Sequence, residues 1–274
     1  MTTLPSVSVV VATTTVGRRL ETLLDRLHAA DDRRPDETLV AVPPSAAGAA
    51  AAIAASFPCV RVLTVSGGSI PRLYSAGLAA ARGSCVAMTN DRFLPHPGWL
   101  SALVDVSAGA SGPVVVAGTI TGPAPSRAMD RAVHYLEYGP FTADGSWTDG
   151  AAGGNVAYNR PALEQLLPLV EPPVWEYFWH RALRDRGVLH VRAPRACVEM
   201  VCRWSLARAW RERYHYARAF AGERTRTWRW LRRAVASAGA LALPLVVLAR
   251  LCRRHLRDGW PFVSALPMLA LLTL

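Results

Sequence analysis

Ala80-Ala81-Arg82-Gly83-Ser84-Cys85-Val86-Ala87-Met88-Thr89-Asn90-Asp91-Arg92, with Pro95-His96-Pro97-Gly98-Trp99-Leu100 close behind, decides how this chain folds. A helical run of small apolar residues stops at Gly83, a residue type that commonly ends helices. A short apolar strand follows and runs out into Thr89-Asn90-Asp91-Arg92 before Pro97 opens another helix. Polar side chains at the carboxyl end of a buried strand are where open α/β sheets hold their ligands.

Around this junction, apolar runs at residues 7–13, 38–42, 60–65, 86–89 and 114–119 alternate with helical periods. Leu20, Leu23, Leu24 and Leu27 share one helical face, residues 46–55 make an alanine-rich helix, and residues 70–81 make a third. The alternation predicts βαβ units around a mostly parallel sheet, whose strands read as near-continuous apolar runs because both faces are covered. Residues 121–154 are rich in Gly, Pro, Ser and Asp and read as mobile loops beside an active site. Helical patterns resume at 161–167 and 175–186, with a strand at 188–191.

With 274 residues, 51% of them hydrophobic, the chain can bury one large core or one domain plus an appendage, which excludes a disordered protein. All 31 basic residues are arginine. Residues 1–200 carry 17 Arg and 17 acids, whereas residues 201–274 carry 14 Arg and 3 acids, so the net charge of +11 belongs to the tail. A neutral domain followed by a basic segment interleaved with Trp and Leu predicts an anionic membrane as partner and no nucleic acid, since no RNA-binding aromatic motif or recognition helix accompanies the charge.

Residues 206–233 form a basic helical stretch, followed by two uncharged segments of 16 residues each, 234–249 and 259–274, split by Arg250, Arg253, Arg254, His255 and Arg257. Each falls short of the roughly 20 residues a spanning helix needs, so the pair predicts an interfacial or re-entrant hairpin with its arginines at the headgroups. The alternative is a buried helical hairpin in a soluble domain. In the membrane reading, deleting 234–274 leaves a soluble, folded domain. Cys59, Cys85, Cys197, Cys202 and Cys252 show no Cys-x-x-Cys or zinc spacing and fit reduced thiols. The first strand starts at Val7, leaving no room for a signal peptide, so the expected location is the cytoplasmic face of a membrane.

Four pieces of the sequence carry a resemblance. Residues 7–15 read Val-Ser-Val-Val-Val-Ala-Thr-Thr-Thr, and residues 38–45 end in Val42-Pro43-Pro44-Ser45. The third piece runs from Gly77 through Asn90-Asp91-Arg92 to Pro97-Gly98-Trp99-Leu100. The fourth is Gly153-Gly154-Asn155-Val156-Ala157-Tyr158-Asn159-Arg160, then Trp175-Glu176 and, eleven residues on, Gly187. Together they resemble the family 2 glycosyltransferases of the GT-A fold, nucleotide-sugar-dependent enzymes of bacterial cell-envelope synthesis, over about residues 6–224.

The resemblance implies that Ala12, Thr13, Thr14 and Thr15 lie along the donor's base and ribose, with Ala12 where the family has proline and Thr14-Thr15 where it has Tyr-Asn. The aspartate expected at the end of the second strand is replaced by Pro43-Pro44-Ser45. Asn90, Asp91 and Arg92 stand in register with the Asp-x-Asp motif that holds Mg²⁺ or Mn²⁺ on the diphosphate, and Thr89-Asn90-Asp91-Arg92 looks nearest to a Thr-Glu-Asp-His variant of it. With Asp91 as the one carboxylate left for a metal, dependence on Mg²⁺ or Mn²⁺ is expected to be weak or absent, Arg92 offsetting the diphosphate charge instead.

Gly153, Gly154 and Asn155, with Trp175, are implied to shape the donor–acceptor junction, and Glu176 stands where the family has its general base. Asp149 and Glu171 are the next candidates for that role, and an exposed glutamate favoured by the helix dipole is the alternative for Glu176 itself.

The expected organisation is a GT-A α/β domain with a mostly parallel central sheet over residues 1–202, a basic membrane-proximal helix over 203–233 and an apolar hairpin over 234–274. The expected activity is inverting transfer of a sugar from a nucleotide-diphosphate donor to the hydroxyl of a lipid-linked or membrane-proximal acceptor. A non-catalytic, membrane-bound binding or scaffold protein of the same fold is the alternative.

Overall fold

The structure, a computed structural model, describes residues 5–30, 32–124, 126–142, 150–171 and 173–273. Asp149 lies outside them. The chain forms two compact units, one from residues 1–121 and 147–201, the other from 122–146 and 202–274. One division falls at 201/202, and residues 122–146 group with 202–274.

The strands are β1 (Val7–Ala12), β2 (Glu37–Val42), β3 (Val60–Thr64), β4 (Cys85–Asn90), β5 (Phe93–Pro95), β6 (Val114–Thr121), β7 (Val156–Asn159) and β8 (Leu189–Met200). The helices are α1 (Arg18–His28), α2 (Ala47–Ala54), α3 (Ile70–Ala80), α4 (Trp99–Ala108), α5 (Ala128–Tyr138), α6 (Arg160–Leu166), α7 (Glu176–Asp185), α8 (Leu206–Thr225), α9 (Trp230–Gly239), α10 (Leu243–His255), α11 (Trp260–Val263) and α12 (Leu266–Thr273).

All strands join one sheet of the first unit in the order β3-β2-β1-β4-β7-β6-β8-β5. Every residue of β1 is buried, and Leu20, Leu23, Leu24 and Leu27 of α1 are buried as their spacing requires. β1 runs parallel to β2 and to β4, pairing Ala12 with Ala41 on one side and with Asn90 on the other. The segments leaving β1 and β4 therefore emerge side by side at one edge of the sheet.

The second half of the sheet is mixed. β7 runs antiparallel between β4 and β6, and β5 antiparallel to β8, whereas β6 and β8 are parallel. The strand expected at 188–191 extends through Met200. Residues 121–154 are not all loop either: α5 starts where Asp130 accepts the Arg127 backbone N–H at 3.4 Å, and Ala132, Val133 and Tyr135 supply a buried face.

In the second unit, Tyr135, His255 and Phe262 pack ring against ring, with Leu269 and Leu272 buried in α12. The two apolar arms differ in kind. The first merges with its flanks into an unbroken helical run, Trp230–Asp258, long and apolar enough to cross a membrane by length and composition, and mostly exposed. The second buries Phe262, Ala265, Leu269 and Leu272. Deleting 234–274 would therefore remove part of this unit's core, so the expectation that the deletion leaves its remainder folded is corrected.

Asp130 anchors this unit. Its side chain is fully buried, accepts the Trp204 backbone N–H at 2.8 Å and pairs with Arg127 and Arg203, each at 3.1 Å. Burial pushes its carboxyl up, but the hydrogen bonds from Arg127, the Trp204 N–H and Arg203 outweigh it and hold the group below the ordinary aspartate range. A carboxylate depressed in the native state adds stability that is present above its unfolded pKa and lost as pH falls through the native one. Asp130→Ala leaves the buried Trp204 N–H without its acceptor and should cost about 2 kcal/mol. Urea unfolding at neutral pH should show that loss, and the gap between variant and parent should close in acid.

Candidate active site

The edge of the sheet where β1 and β4 end gathers most of the expected site. Thr13 is buried and closes the turn after β1, its Oγ1 donating to the Thr15 carbonyl at 2.6 Å and accepting the Thr15 N–H at 3.2 Å. Ala12 is buried inside the strand, while Thr14 and Thr15 are exposed. Of the four residues expected along a nucleotide, the turn thus presents two to solvent and uses two to build itself.

Beyond β4, Asn90 spends its amide on the fold. Its Nδ2 donates to the buried Tyr74 hydroxyl at 2.9 Å and its Oδ1 accepts the Arg92 N–H at 3.0 Å. Asp91 is nearly buried, and its Oδ2 accepts from Arg19 Nε at 3.0 Å and lies 2.8 Å from Arg19 Nη2. Arg19 thus takes one oxygen of Asp91, and among the described residues no three His, Cys, Asp or Glu side chains cluster as a metal site.

The glycine pair reaches the same region from β7. A Cβ on Gly153 would overlap the carboxylate of Glu176, and one on Gly154 would overlap the ring of Phe93, the residue after Arg92. The loop is held by Asn155, fully buried, whose Oδ1 accepts from Trp99 Nε1 at 2.8 Å and whose Nδ2 donates to the carbonyls of Thr119 at 2.8 Å and Ala196 at 2.9 Å. Asn155 was expected to face a donor–acceptor junction; its amide is instead spent inside the scaffold. Trp175 is half-buried and precedes the first turn of α7 in extended conformation.

Glu176 opens α7. Some surface of the residue stays accessible, but its carboxyl is packed round by neighbours, and this desolvation raises its pKa to about 7. Tyr74 and Tyr158 lie close enough for the negative charge of Glu176 to push their own hydroxyls further up, beyond the larger effect of burial. Tyr158 also bonds His180 Nε2 at 2.7 Å, and burial, with His190 and Arg184 nearby, lowers His180 to about 3. Arg92 acts on Tyr74 in the opposite sense to Glu176, so one buried tyrosine lies within electrostatic reach of both.

Sequence reasoning missed Tyr74 and Arg19. The signal for Tyr74 was a lone aromatic in an otherwise small-residue helix. For Arg19 there was none, since its partner lies 72 residues away. Glu171 is exposed. A concavity of about 540 Å³ lies between α1 and the turn into α4 and meets this constellation only at Trp99.

No protein-family model and no curated protein matches the chain. Solved structures do. The mannosyltransferase PcManGT from Pyrobaculum calidifontis, in complex with GDP-Man and Mn²⁺, is 20% identical with a TM-score of 0.56, over 98% of this chain and 86% of its own. Glucosyl-3-phosphoglycerate synthase from Mycobacterium tuberculosis, in complex with Mn²⁺, UDP and phosphoglyceric acid, is 18% identical with a TM-score of 0.51, over 79% of this chain and 76% of its own. The same synthase with Mg²⁺ and UDP gives 17% and 0.52, over 80% and 79%. At such identities the likeness establishes the fold, which is of the GT-A type.

The contact between Gly153 and Glu176 can be tested directly. Gly153→Ala should displace the Glu176 carboxylate toward water, lowering its pKa by at least one unit toward about 4.5, while the overall fold persists. NMR titration of the glutamate carboxyl carbons in variant and parent measures the shift.

Proposed function

We propose that this protein is a nucleotide-sugar-dependent glycosyltransferase that works at an anionic membrane surface. The observation that carries the reading is Glu176, a carboxyl held near neutral pKa by desolvation beside the edge of the sheet where the segments after β1 and β4 emerge together. A positioned base of matched pKa contributes about 10²- to 10⁴-fold to a proton transfer. The carboxylate of Glu176 takes the proton of an acceptor hydroxyl. The freed oxygen bonds to the anomeric carbon of the donor sugar, and the bond from that carbon to the nucleoside diphosphate breaks on the opposite face, so the configuration inverts. Thr14 and Thr15 flank the nucleoside, and positive charge at the end of β4 offsets that on the departing diphosphate.

The membrane part of the reading rests on the second unit. Trp230, Leu241, Leu245 and Trp260 are each at least 74% exposed, and arginines bracket the apolar stretch at 229, 232 and 233 and again at 250, 253, 254 and 257. Guanidinium groups at both ends of an exposed apolar helix suit acidic headgroups, with tryptophans at the interface. An acceptor carried by that membrane is then met in two dimensions.

Two outcomes follow. Transfer or hydrolysis measured over a panel of UDP-, GDP- and dTDP-sugars should rise with pH through about 7 as Glu176 ionises, and Glu176→Gln should lose at least 10²-fold in rate while donor affinity stays within a few fold. A panel without turnover but with donor binding would point to the non-catalytic alternative. Separately, the full chain should float with vesicles containing acidic lipid, and Leu241→Glu with Leu245→Glu should abolish flotation without changing the unfolding midpoint, because both side chains are already exposed.

A further inference from the structure

Two fully buried side chains beside Glu176, Tyr158 on β7 and His180 on α7, bond each other, with Oη and Nε2 2.7 Å apart. Glu176 stands four residues before His180 on α7, so the carboxyl and the imidazole share a helix face about one turn apart. The phenol that bonds His180 thus reaches the face that carries the acid. Which partner holds the proton follows from the surroundings. Burial first, then His190 and Arg184, lower His180 to about 3, so the ring is neutral wherever Glu176 titrates. A neutral imidazole has one N–H and one lone pair. Nδ1 makes no hydrogen bond of ordinary geometry, but the Ala151 carbonyl opposes the lowering, as an acceptor does for a ring N–H. That puts the proton on Nδ1 and the lone pair on Nε2. Burial, with the charge of Glu176, raises Tyr158 well above the usual tyrosine range, so the phenol keeps its proton and donates it to Nε2.

We infer that His180 is a positioning residue for Glu176: by accepting the one proton of Tyr158 it holds that phenol off the carboxyl and leaves the base unbonded by its neighbours. This rests on the glycosyltransferase reading, in which Glu176 is the general base. Among the described residues only its own backbone N–H bonds the Glu176 carboxyl. The other phenol within electrostatic reach, Tyr74 on α3, accepts from Asn90 Nδ2 and feels Arg92 in the opposite sense to Glu176. A phenol O–H turned onto a carboxylate favours the charged form and lowers the pKa. A carboxylate lowered in this way is the weaker base toward an acceptor hydroxyl. Spending the Tyr158 proton on a histidine therefore preserves the basicity that desolvation creates.

The test is NMR titration of the Glu176 carboxyl carbon in the full chain, assigned by its loss in Glu176→Gln, together with the pH dependence of donor turnover. His180→Leu removes the acceptor and should lower the Glu176 pKa from about 7 by about one unit or more, with the rise of transfer moving down in pH by the same amount. His180→Gln keeps an acceptor oxygen and should shift it by less than about half a unit. In a Tyr158→Phe background there is no proton to release, so adding His180→Leu should leave the carboxyl unmoved. A purely structural histidine would shift it in both backgrounds. Tyr158→Phe by itself should leave the pKa near 7, and it decides alone if the leucine variant loses its circular dichroism signature. An unmoved carboxyl in His180→Leu, an equal shift with and without the Tyr158 hydroxyl, or a rise of about one unit in Tyr158→Phe overturns the role of His180 and leaves the glycosyltransferase reading standing. The expected shifts without turnover of any UDP-, GDP- or dTDP-sugar overturn that reading instead, and the hydrogen bonding stands.

Discussion

One asparagine amide holds the site in place. Asn155 satisfies the Trp99 indole and two strand carbonyls with its side chain, and its own carbonyl accepts the Gly118 N–H at 3.0 Å. Every one of these groups is in the core, where an unmet polar partner costs about 1–3 kcal/mol. The two residues before it carry no side chain, so Phe93 and Glu176 can close on the loop from opposite sides. The unusual acidity of Glu176 therefore originates in a scaffold contact that touches no substrate: fix the loop, and water is excluded from the carboxyl.

The sheet brings the other parts of the site side by side. Parallel pairing of β1 with β4 sets Ala12 beside Asn90, so whatever follows each strand shares one edge. On that edge lie the threonine turn and the pair of Arg19 with Asp91.

Much of this was readable before any coordinates. β1, β2, β4 and β6 are buried on both faces, so hydrophobicity alone marks them. β7 escaped notice because Val156-Ala157-Tyr158-Asn159 follows directly on glycines and reads as their loop, and β8 because Arg192, Pro194 and Arg195 interrupt its apolar run. α5 was concealed by flanking Gly and Pro, although the Asp130 cap on the Arg127 N–H is local. The position of Glu176 was legible from the spacing of the resemblance; its desolvation was not, since that depends on Tyr74 from α3 and Tyr158 from β7 arriving at the same place. The role of Asn155 was misjudged for a related reason: a residue type and its neighbours suggest a ligand contact, and only packing reveals that backbone carbonyls have claimed the amide.

The second unit is assembled from two stretches that the chain makes far apart. Residues 122–146 leave the sheet between β6 and β7, yet the aromatic rings that cover Tyr135 belong to His255 and Phe262. During synthesis, α5 emerges well before either of them, while the strands and helices of the first unit are complete by residue 201. A nascent chain thus holds an open half of an apolar interface until His255 and Phe262 have emerged, a long loop to close and a surface prone to improper association meanwhile. The order of the elements along the chain thus makes closure of the second unit follow completion of the sheet.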